Sequence, residues 1–492
     1  MASRDPSRPN LLVILTDDQG AWALGCAGND EIRTPNLDRL AATGIRCHNF
    51  FCVSPVCSPA RASLLTGRIP SQHGVHDWLC GGNNVNEGEL IAFLRGQPGY
   101  SDHLAAAGYR CGLAGKWHLG DAHHPQKGFT FWRAHAAGGG PYYNAPWIDG
   151  DRVVRSEDYV TDVITDHALE FLDGAAGDDA PFCLDVHYTA PHSPYGRDQH
   201  PAATFDDYHA NCAFASIPDV PPHPWMRKTA QNATTPEARQ EMLSGYFTAV
   251  TEMDRCVGRL LDRLEAAGLR ESTLIFFTSD NGMSMGHHGI WGKGNGTMPL
   301  NMYDTAVKVP ALLSQPGVVP EGVVNTDLLS HYDWMPTLLD HLGLPHPEAD
   351  ALPGRSFAPV LRGEALGDGR PVIVFDEYGP VRMVRTQAWK YVHRTPYGPH
   401  ELYDLEHDPD ETTNLYGHES HADRVAELRG QLRQWFDRYV DPARDGSREP
   451  VTGSGQHGRA GAESGGRDAF AQGWAYGHPE GKPRSAFPVF DD

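Results

Sequence analysis

"NLLVILTDDQG", residues 10–20, sets five apolar side chains, Leu11 to Leu15, ahead of Thr16, two aspartates, Gln19 and a glycine. A short unbroken apolar run that ends on turn formers reads as a strand buried on both faces, as in a parallel sheet. The same grammar returns in "STLIFFTSDNG", residues 272–282, where the run ends on Asp280 and Asn281. "CLDVHY" (183–188) is a third strand of this kind. Helical patterns lie between them: "LDRLAATG" (37–44) with its Gly stop, "YSDHLAAAGY" (100–109), and a long segment over 236–267. In the last, Tyr246, Val250, Met253, Val257, Leu260 and Leu264 recur at helical spacing before Gly268. Strands alternating with helices indicate an α/β fold, built from βαβ units around a mostly parallel central sheet.

After about residue 365 the pattern changes. "PVIVFDEY", "RMVRTQAWKYVHR" and "HELYDLEHDP" read as short, half-buried antiparallel strands. An amphipathic helix follows, with Val425, Leu428, Leu432, Trp435 and Phe436 on one face. We expect an α/β domain over 1–365 and a small antiparallel-sheet domain over 366–442. An irregular, Gly-rich tail over 443–492, laid on the surface or partly disordered, would close on "SAFPVFDD".

The totals bound the partners. A net charge of −22 argues against nucleic acid or an anionic membrane, so an anionic substrate must meet local positive charge. No apolar run approaches the roughly 18 residues of a membrane span. The polar start "MASRDPSRPN" runs straight into a strand, and a cytoplasmic protein is expected. Nine cysteines, an odd number without a C-x-x-C pair, read as reduced thiols rather than a disulfide framework or zinc site. The N-x-T triplets at Asn232 and Asn295 then carry no meaning as glycosylation sites.

In open α/β sheets, ligands bind beyond the carboxyl ends of the strands. Four such ends are loaded here: Asp17 with Asp18, Asp280 with Asn281, Lys116 with His118 in "CGLAGKWHLG", and His187 with His192 in "CLDVHYTAPHSP". Three carboxylates and a carboxamide repel or waste hydrogen bonds unless a cation sits between them, and an all-oxygen set suits Ca²⁺ or Mg²⁺ better than zinc. Asp, Asn and Gly are also turn formers; two such ends on matching strands tip the balance toward a cation. Taken singly, Lys116, Lys293 in "GIWGKGNG" and Arg61 are ordinary charges, and His118 and His192 ordinary structural histidines. Taken together they form a clamp for a tetrahedral anion, with groups to move protons. No P-loop, dinucleotide fingerprint or Ser-His-Asp order competes, and "AGGGPYY" (137–143) reads as a loop that follows no strand.

"FFCVSPVCSPARASLLTGR" (50–68) adds a cysteine at a helix start. Ser58 is a suitable N-cap, Pro59 suits the first helical position, and Gly67 can end the helix in a left-handed conformation. Cys57 would then sit where free N–H groups favour an anion, with Arg61 one turn inside. That position suits a thiol of lowered pKa or an anionic substrate; a plain helix start is the simpler alternative.

With these pieces in order the chain resembles the type I sulfatases. "CSPAR", inside "SPVCSPARASLLTGRIPSQHG" (54–74), fits their C-x-P-x-R signature. "RPNLLVILTDDQG", "GKWHLG", "TAPHSP", "SDNG", "HHGIWGKG" and "ELYDLEHDPDETTNL" match as well, from about residue 8 to 440. The resemblance implies the alkaline phosphatase superfamily fold, a large α/β domain plus a small four-stranded C-terminal domain. It implies that a formylglycine-generating enzyme oxidises Cys57 to formylglycine (3-oxoalanine), whose aldehyde hydrate is the nucleophile. Asp17, Asp18, Asp280 and Asn281 would hold Ca²⁺ (Mg²⁺ is possible), which also binds residue 57. Arg61 would steady the hydrate, and Lys116 and Lys293 would grip sulfate oxygens. His118 would take a proton as sulfate leaves, and His192 would protonate the departing oxygen. Many family members carry Ser where this chain has Ala60; Cys, Pro and Arg are present, and conversion is expected.

The function this implies is hydrolysis of an organic sulfate ester, with a sulfated sugar as the expected substrate. His73, His76, Trp78, Tyr195, Arg197, His287 and Trp291, in loops near the strand ends, are candidate contacts to that sugar. A phosphonate monoester or phosphodiester hydrolase of the same superfamily is the alternative, and a non-catalytic binding protein on this fold a remote one.

Overall fold

Leu11, Val13 and Leu15 of β1 (Asn10–Thr16) belong to one hydrophobic cluster and Leu12 and Ile14 to a second, so this strand is buried on both faces. Each such side chain contributes roughly 1.5–3 kcal/mol by leaving water. β8 (Thr273–Ser279) divides in the same way, Leu274 and Phe276 against Ile275 and Phe277. The computed structural model describes residues 8–471 apart from 81–89, 227–232, 378–380, 396–397, 452, 454 and 467. Asn232 and the closing "SAFPVFDD" lie outside the described residues.

The remaining strands in the large sheet are β2 (Ile45–Phe51), β3 (Arg110–Lys116), β4 (Phe129–His135), β5 (Ala145–Asp149), β6 (Arg152–Ser156), β7 (Phe182–His187), β11 (Ala311–Ser314) and β12 (Val323–Ser330). β9 (Ser284–Met285) and β10 (Trp291–Gly292) form a separate two-residue ribbon. The ten strands run β12-β2-β11-β8-β1-β7-β3-β4-β5-β6. The middle of the sheet, β8-β1-β7-β3-β4, is parallel, and β11, β5 and β6 run antiparallel to their neighbours. Helices Pro35–Ala42, Val160–Ala175 and Pro236–Ala266 cover one face. Cys57–Thr66, Tyr100–Ala106 and Trp334–His341 cover the other. The long helix starts at Pro236 behind the Thr235 cap, whose hydroxyl accepts from Ala238 N at 3.2 Å, and all six of its periodic apolar residues are buried.

The small sheet is antiparallel, in the order β13 (Val372–Asp376), β14 (Val381–Arg385), β15 (Trp389–Arg394), β16 (Glu401–Asp404). Its strands are not half-buried, as the sequence suggested, but buried on both faces. Val372, Val374, Met383 and Val392 join the core of the large sheet, while Ile373, Phe375, Val384 and Tyr391 pack beneath helix Ala422–Tyr439 through Leu428, Leu432 and Phe436. The described residues of 443–471 are mostly irregular yet anchored, with Val451, Ala460, Ala469 and Phe470 in the main core. None of the nine cysteines is in a disulfide, and no described helix is long and apolar enough to cross a membrane.

Candidate active site

The four loaded strand ends are four adjacent strands. Thr16 pairs with Ser279, Leu15 with His187 and Gly115 with His187, so β8, β1, β7 and β3 end in one row. Gly115 is required there: it has φ +111°, and a Cβ would fall 2.0 Å from the His187 carbonyl oxygen. Asp18 and His118 also hold left-handed backbones, φ 63° and 54°, a cost that residues at functional sites commonly carry.

One ligand atom from each of Asp17, Asp18, Asp280 and Cys57 lies within 4.8 Å of the others, and all four residues are buried. Positive groups surround them. Lys116 forms an ion pair with Asp17. Arg61 Nε donates to Asp280 at 2.8 Å and Nη1 to the Lys116 carbonyl at 3.2 Å, while Nη2 has no partner. Lys293 Nζ stands 2.6 Å from Asp18 Oδ1 and 2.9 Å from Cys57 Sγ. Asn281 Nδ2 donates to Asp18 at 2.7 Å, which leaves its buried Oδ1 unpaired.

Electrostatics sort the carboxylates. Burial and the neighbouring Asp280 push Asp17 up. For Asp18 burial is outweighed by Lys293 and His192, and for Asp280 by Arg61, Lys116 and Lys293, so both are held below the usual carboxylate range. Burial also opposes the Lys293 charge, but Asp18, Cys57 and Asp17 outweigh it and hold the ammonium well above its ordinary value. An orphaned carboxamide oxygen beside three converging carboxylates is a donor set that fits a hard divalent cation.

The helix under Cys57 begins earlier than its sequence suggested. Cys57 is its first residue and Val56 the flanking position, with Ala60 N donating to Val56 O at 3.1 Å. Ser58 is not the cap, because its hydroxyl is engaged by Leu79 N at 3.1 Å. Pro59 still falls in the first turn, where N–H groups lack helical partners, and Gly67 ends the helix with φ 65°. The expected lowering of the thiol pKa is not found: burial and Asp17 push Cys57 up to about 12, against Lys116 and Lys293.

A cavity of about 490 Å³ opens over Cys57 and is lined also by Trp78, His118, Gly139, His192 and Lys293. His118 Nε2 rests on the Leu79 carbonyl at 3.0 Å, leaving Nδ1 buried without a partner. Burial, Lys116 and Arg61 keep this imidazole neutral, its pKa well below the ordinary value. His192 Nδ1 lies 2.7 Å from Ser193 O and Nε2 3.7 Å from Asp18. His187 is set back, its Nδ1 3.1 Å from the Lys116 carbonyl.

Of the seven candidate sugar contacts, Trp78 lines this cavity. His73 is buried on Ser63 at 3.1 Å and His76 on the Arg444 carbonyl at 2.9 Å. Tyr195 packs on Tyr246, and exposed Arg197 pairs with Asp206 at 2.6 Å. His287 packs on Trp22 beside a separate cavity of about 620 Å³, and Trp291 is half-buried. The triple-glycine segment does follow a strand, beginning two residues past β4, and it lines the site. A Cβ on Gly138 would lie 2.3 Å from the His118 ring, and one on Gly139 2.8 Å from His192. Three glycines two alanines after "FTFWRAH" were the available signal; partial burial of that strand hid it.

The sulfatase family model matches residues 9–344, and that of the N-sulphoglucosamine sulphohydrolase C-terminal region matches 286–438. The N-acetylglucosamine-6-O-sulfatase of Bacteroides thetaiotaomicron is 28% identical, over 89% of this chain and 88% of its own length. A solved complex with D-glucosamine-2-N,6-O-disulfate superposes with a TM-score of 0.72 at 27% identity, covering 89% of this chain and 99% of that one. The phosphonate monoester hydrolase of Agrobacterium radiobacter shares the fold, with a TM-score of 0.65 at 23% identity over 87% of this chain and 96% of its own. With its carboxylates, lysines and Cys57 gathered at the ends of β8, β1, β7 and β3, the chain belongs to the sulfatase family of the alkaline phosphatase superfamily and is a sulfuric ester hydrolase.

Proposed function

We propose that the chain hydrolyses the sulfate ester of a sugar to the alcohol and inorganic sulfate, with Cys57 converted to formylglycine and Ca²⁺ or Mg²⁺ held by Asp17, Asp18, Asp280 and Asn281. The observation that carries this reading is Cys57 itself. It opens the helix of the C-x-P-x-R signature, faces the cavity, and lies against both Lys293 and the carboxylate cluster. The sulfated amino sugar bound to the solved neighbour supports the substrate class, and the intact signature supports recognition by a formylglycine-generating enzyme.

Formylglycine would supply a hydrated aldehyde as nucleophile, and the cation would offset charge on the transferred group and acidify that hydrate. The chain's own residues do the rest. Lys293 and Lys116 place two ammonium groups beside residue 57 and the carboxylates, where a sulfate ester must bring its oxygens. Arg61 keeps one N–H pair unspent at the same point. His118, with Nε2–H given to Leu79 O, presents the bare Nδ1 that can take a proton as sulfate departs. His192, at the cavity wall, is placed to protonate the leaving alcohol. Sulfate release from glucosamine 6-sulfate tests the reading, with Cys57→Ala as control. Faster cleavage of a phosphodiester or phosphonate ester than of any sulfate ester would overturn it.

A further inference from the structure

Residues 439–471 lie beyond both family matches, yet described residues among them bond to the stretch 71–80, whose Trp78, Leu79 and Cys80 line the catalytic cavity. Asp441 N donates to Ser71 O at 3.0 Å, Arg444 Nη1 to Gln72 O at 3.0 Å, and the Arg444 carbonyl meets His76 Nε2. The segment then runs alongside residues 77–80. Gln456 N donates to Trp78 O at 2.8 Å, and Gln456 O accepts from Cys80 N at 3.0 Å. The Gln456 side chain is fully buried: Oε1 accepts from His76 N at 2.8 Å and Nε2 donates to Gly74 O at 2.9 Å. Gly455 N donates to the Asp77 carboxylate at 3.2 Å, and the Trp78 indole N–H reaches Gly453 O at 3.4 Å.

Trp78, Leu79 and Cys80 are thus a single layer between this strap and the catalytic groups. Their far side lines the cavity over Cys57. Gly455 has φ +112°, and a Cβ there would fall 2.4 Å from Cys80 Sγ and 3.2 Å from the Trp78 ring, so the strap must be Gly to lie this close. Trp78 is 37% exposed, an aromatic face held at the cavity mouth. Such a ring offers a rigid apolar platform to the group that carries the sulfate.

Resting on the sugar sulfatase reading above, we infer that the described residues between 441 and 456 are a substrate-selecting strap, with Gln456 and Gly455 as positioning residues that set the Trp78 platform against a pyranose ring. Steady-state kinetics on glucosamine 6-sulfate test this in Gln456→Leu, Gly455→Ala and Trp78→Ala. Each should raise KM about tenfold or more while kcat stays within about threefold, because the platform contacts the sugar and not the reacting bond. Gln456→Leu should add less than about twofold to KM in the Trp78→Ala background, since it acts through that ring. The two strap substitutions perturb different atoms, so one that fails to fold leaves the other to decide. Unchanged KM in the folded strap variants, or a fall in kcat alone, would overturn the inference. A wild type that releases no sulfate from any sugar sulfate would instead remove the reading beneath it.

Discussion

Lys390 and Lys293 are both buried among carboxylates, one beneath the small sheet and one beneath the cavity. Lys390 has no exposed side-chain surface; its ammonium donates to Asp304 at 2.5 Å and to the Met302 carbonyl at 2.9 Å, and forms an ion pair with Glu411. It joins the small sheet to the body of the large one. Lys293 keeps 12% of its side chain exposed at the cavity, and two partners, Asp18 and Cys57, account for two of its three donors. The contrast extends to the neighbours. Around Lys293, Asn281 Oδ1, Arg61 Nη2 and His118 Nδ1 are buried and unpaired. The Lys390 ammonium has a carboxylate or carbonyl on every side and ties two parts of the fold together; the Lys293 ammonium and the unpaired atoms around it stand at the cavity over Cys57, where they can receive something.

Substitutions at the two lysines and around them can break or sharpen that contrast. The largest effect belongs to Cys57→Ala, which removes the nucleophile and should lower kcat on the order of 10⁴-fold or more, read as sulfate release. Lys390→Ala strands the Asp304 and Glu411 carboxylates and should cost about 3–5 kcal/mol in denaturant unfolding, with kcat per folded molecule unchanged. Lys293→Ala should do the reverse, lowering kcat/KM about 10²–10³-fold on the same sugar sulfate. If the two variants exchanged these phenotypes, the division of labour between the two lysines would be wrong.

A smaller effect comes from Asp77, the carboxylate under the strap. Burial pushes it up to about 7 from an ordinary 3.8. The folded state therefore holds that proton more tightly than the unfolded chain. Its contribution to stability is full below pH 4 and lost as pH rises through 7, with a slope of up to about 1.4 kcal/mol per pH unit. Asp77→Asn should flatten that decline in unfolding midpoints measured from pH 5 to 8. The smallest effect is expected at Arg197, exposed and paired with Asp206: Arg197→Ala should leave both the unfolding midpoint and KM unchanged, because solvent screens an exposed pair.

How much of this was legible in sequence depended on how far apart the partners lie. β1 and β8 announce themselves because unbroken apolar runs ending on Asp are a local pattern, and their shared row follows from sheet topology. The helix start at Cys57 was misplaced because the Ser58 hydroxyl is taken by Leu79, 21 residues away. The thiol's high pKa depends on burial and Asp17, neither of which a local pattern reports. Six of the seven loop residues expected near sugar do not line the cavity over Cys57, since His, Tyr and Arg in a loop say nothing about which way the loop turns. Nothing in residues 441–471 hinted at the cavity, because Gln456 finds His76 across 380 positions. A Gly-rich composition suggests an irregular surface tail; an irregular backbone can still be pinned residue by residue.

The measurement that bears most directly on the central claim is peptide mass spectrometry of protein from its own host. The tryptic fragment is "CHNFFCVSPVCSPAR", residues 47–61. The expected result is formylglycine, or its hydrate, at residue 57. An unmodified cysteine there, in protein that still releases sulfate from a sugar sulfate, would contradict the assignment of the nucleophile.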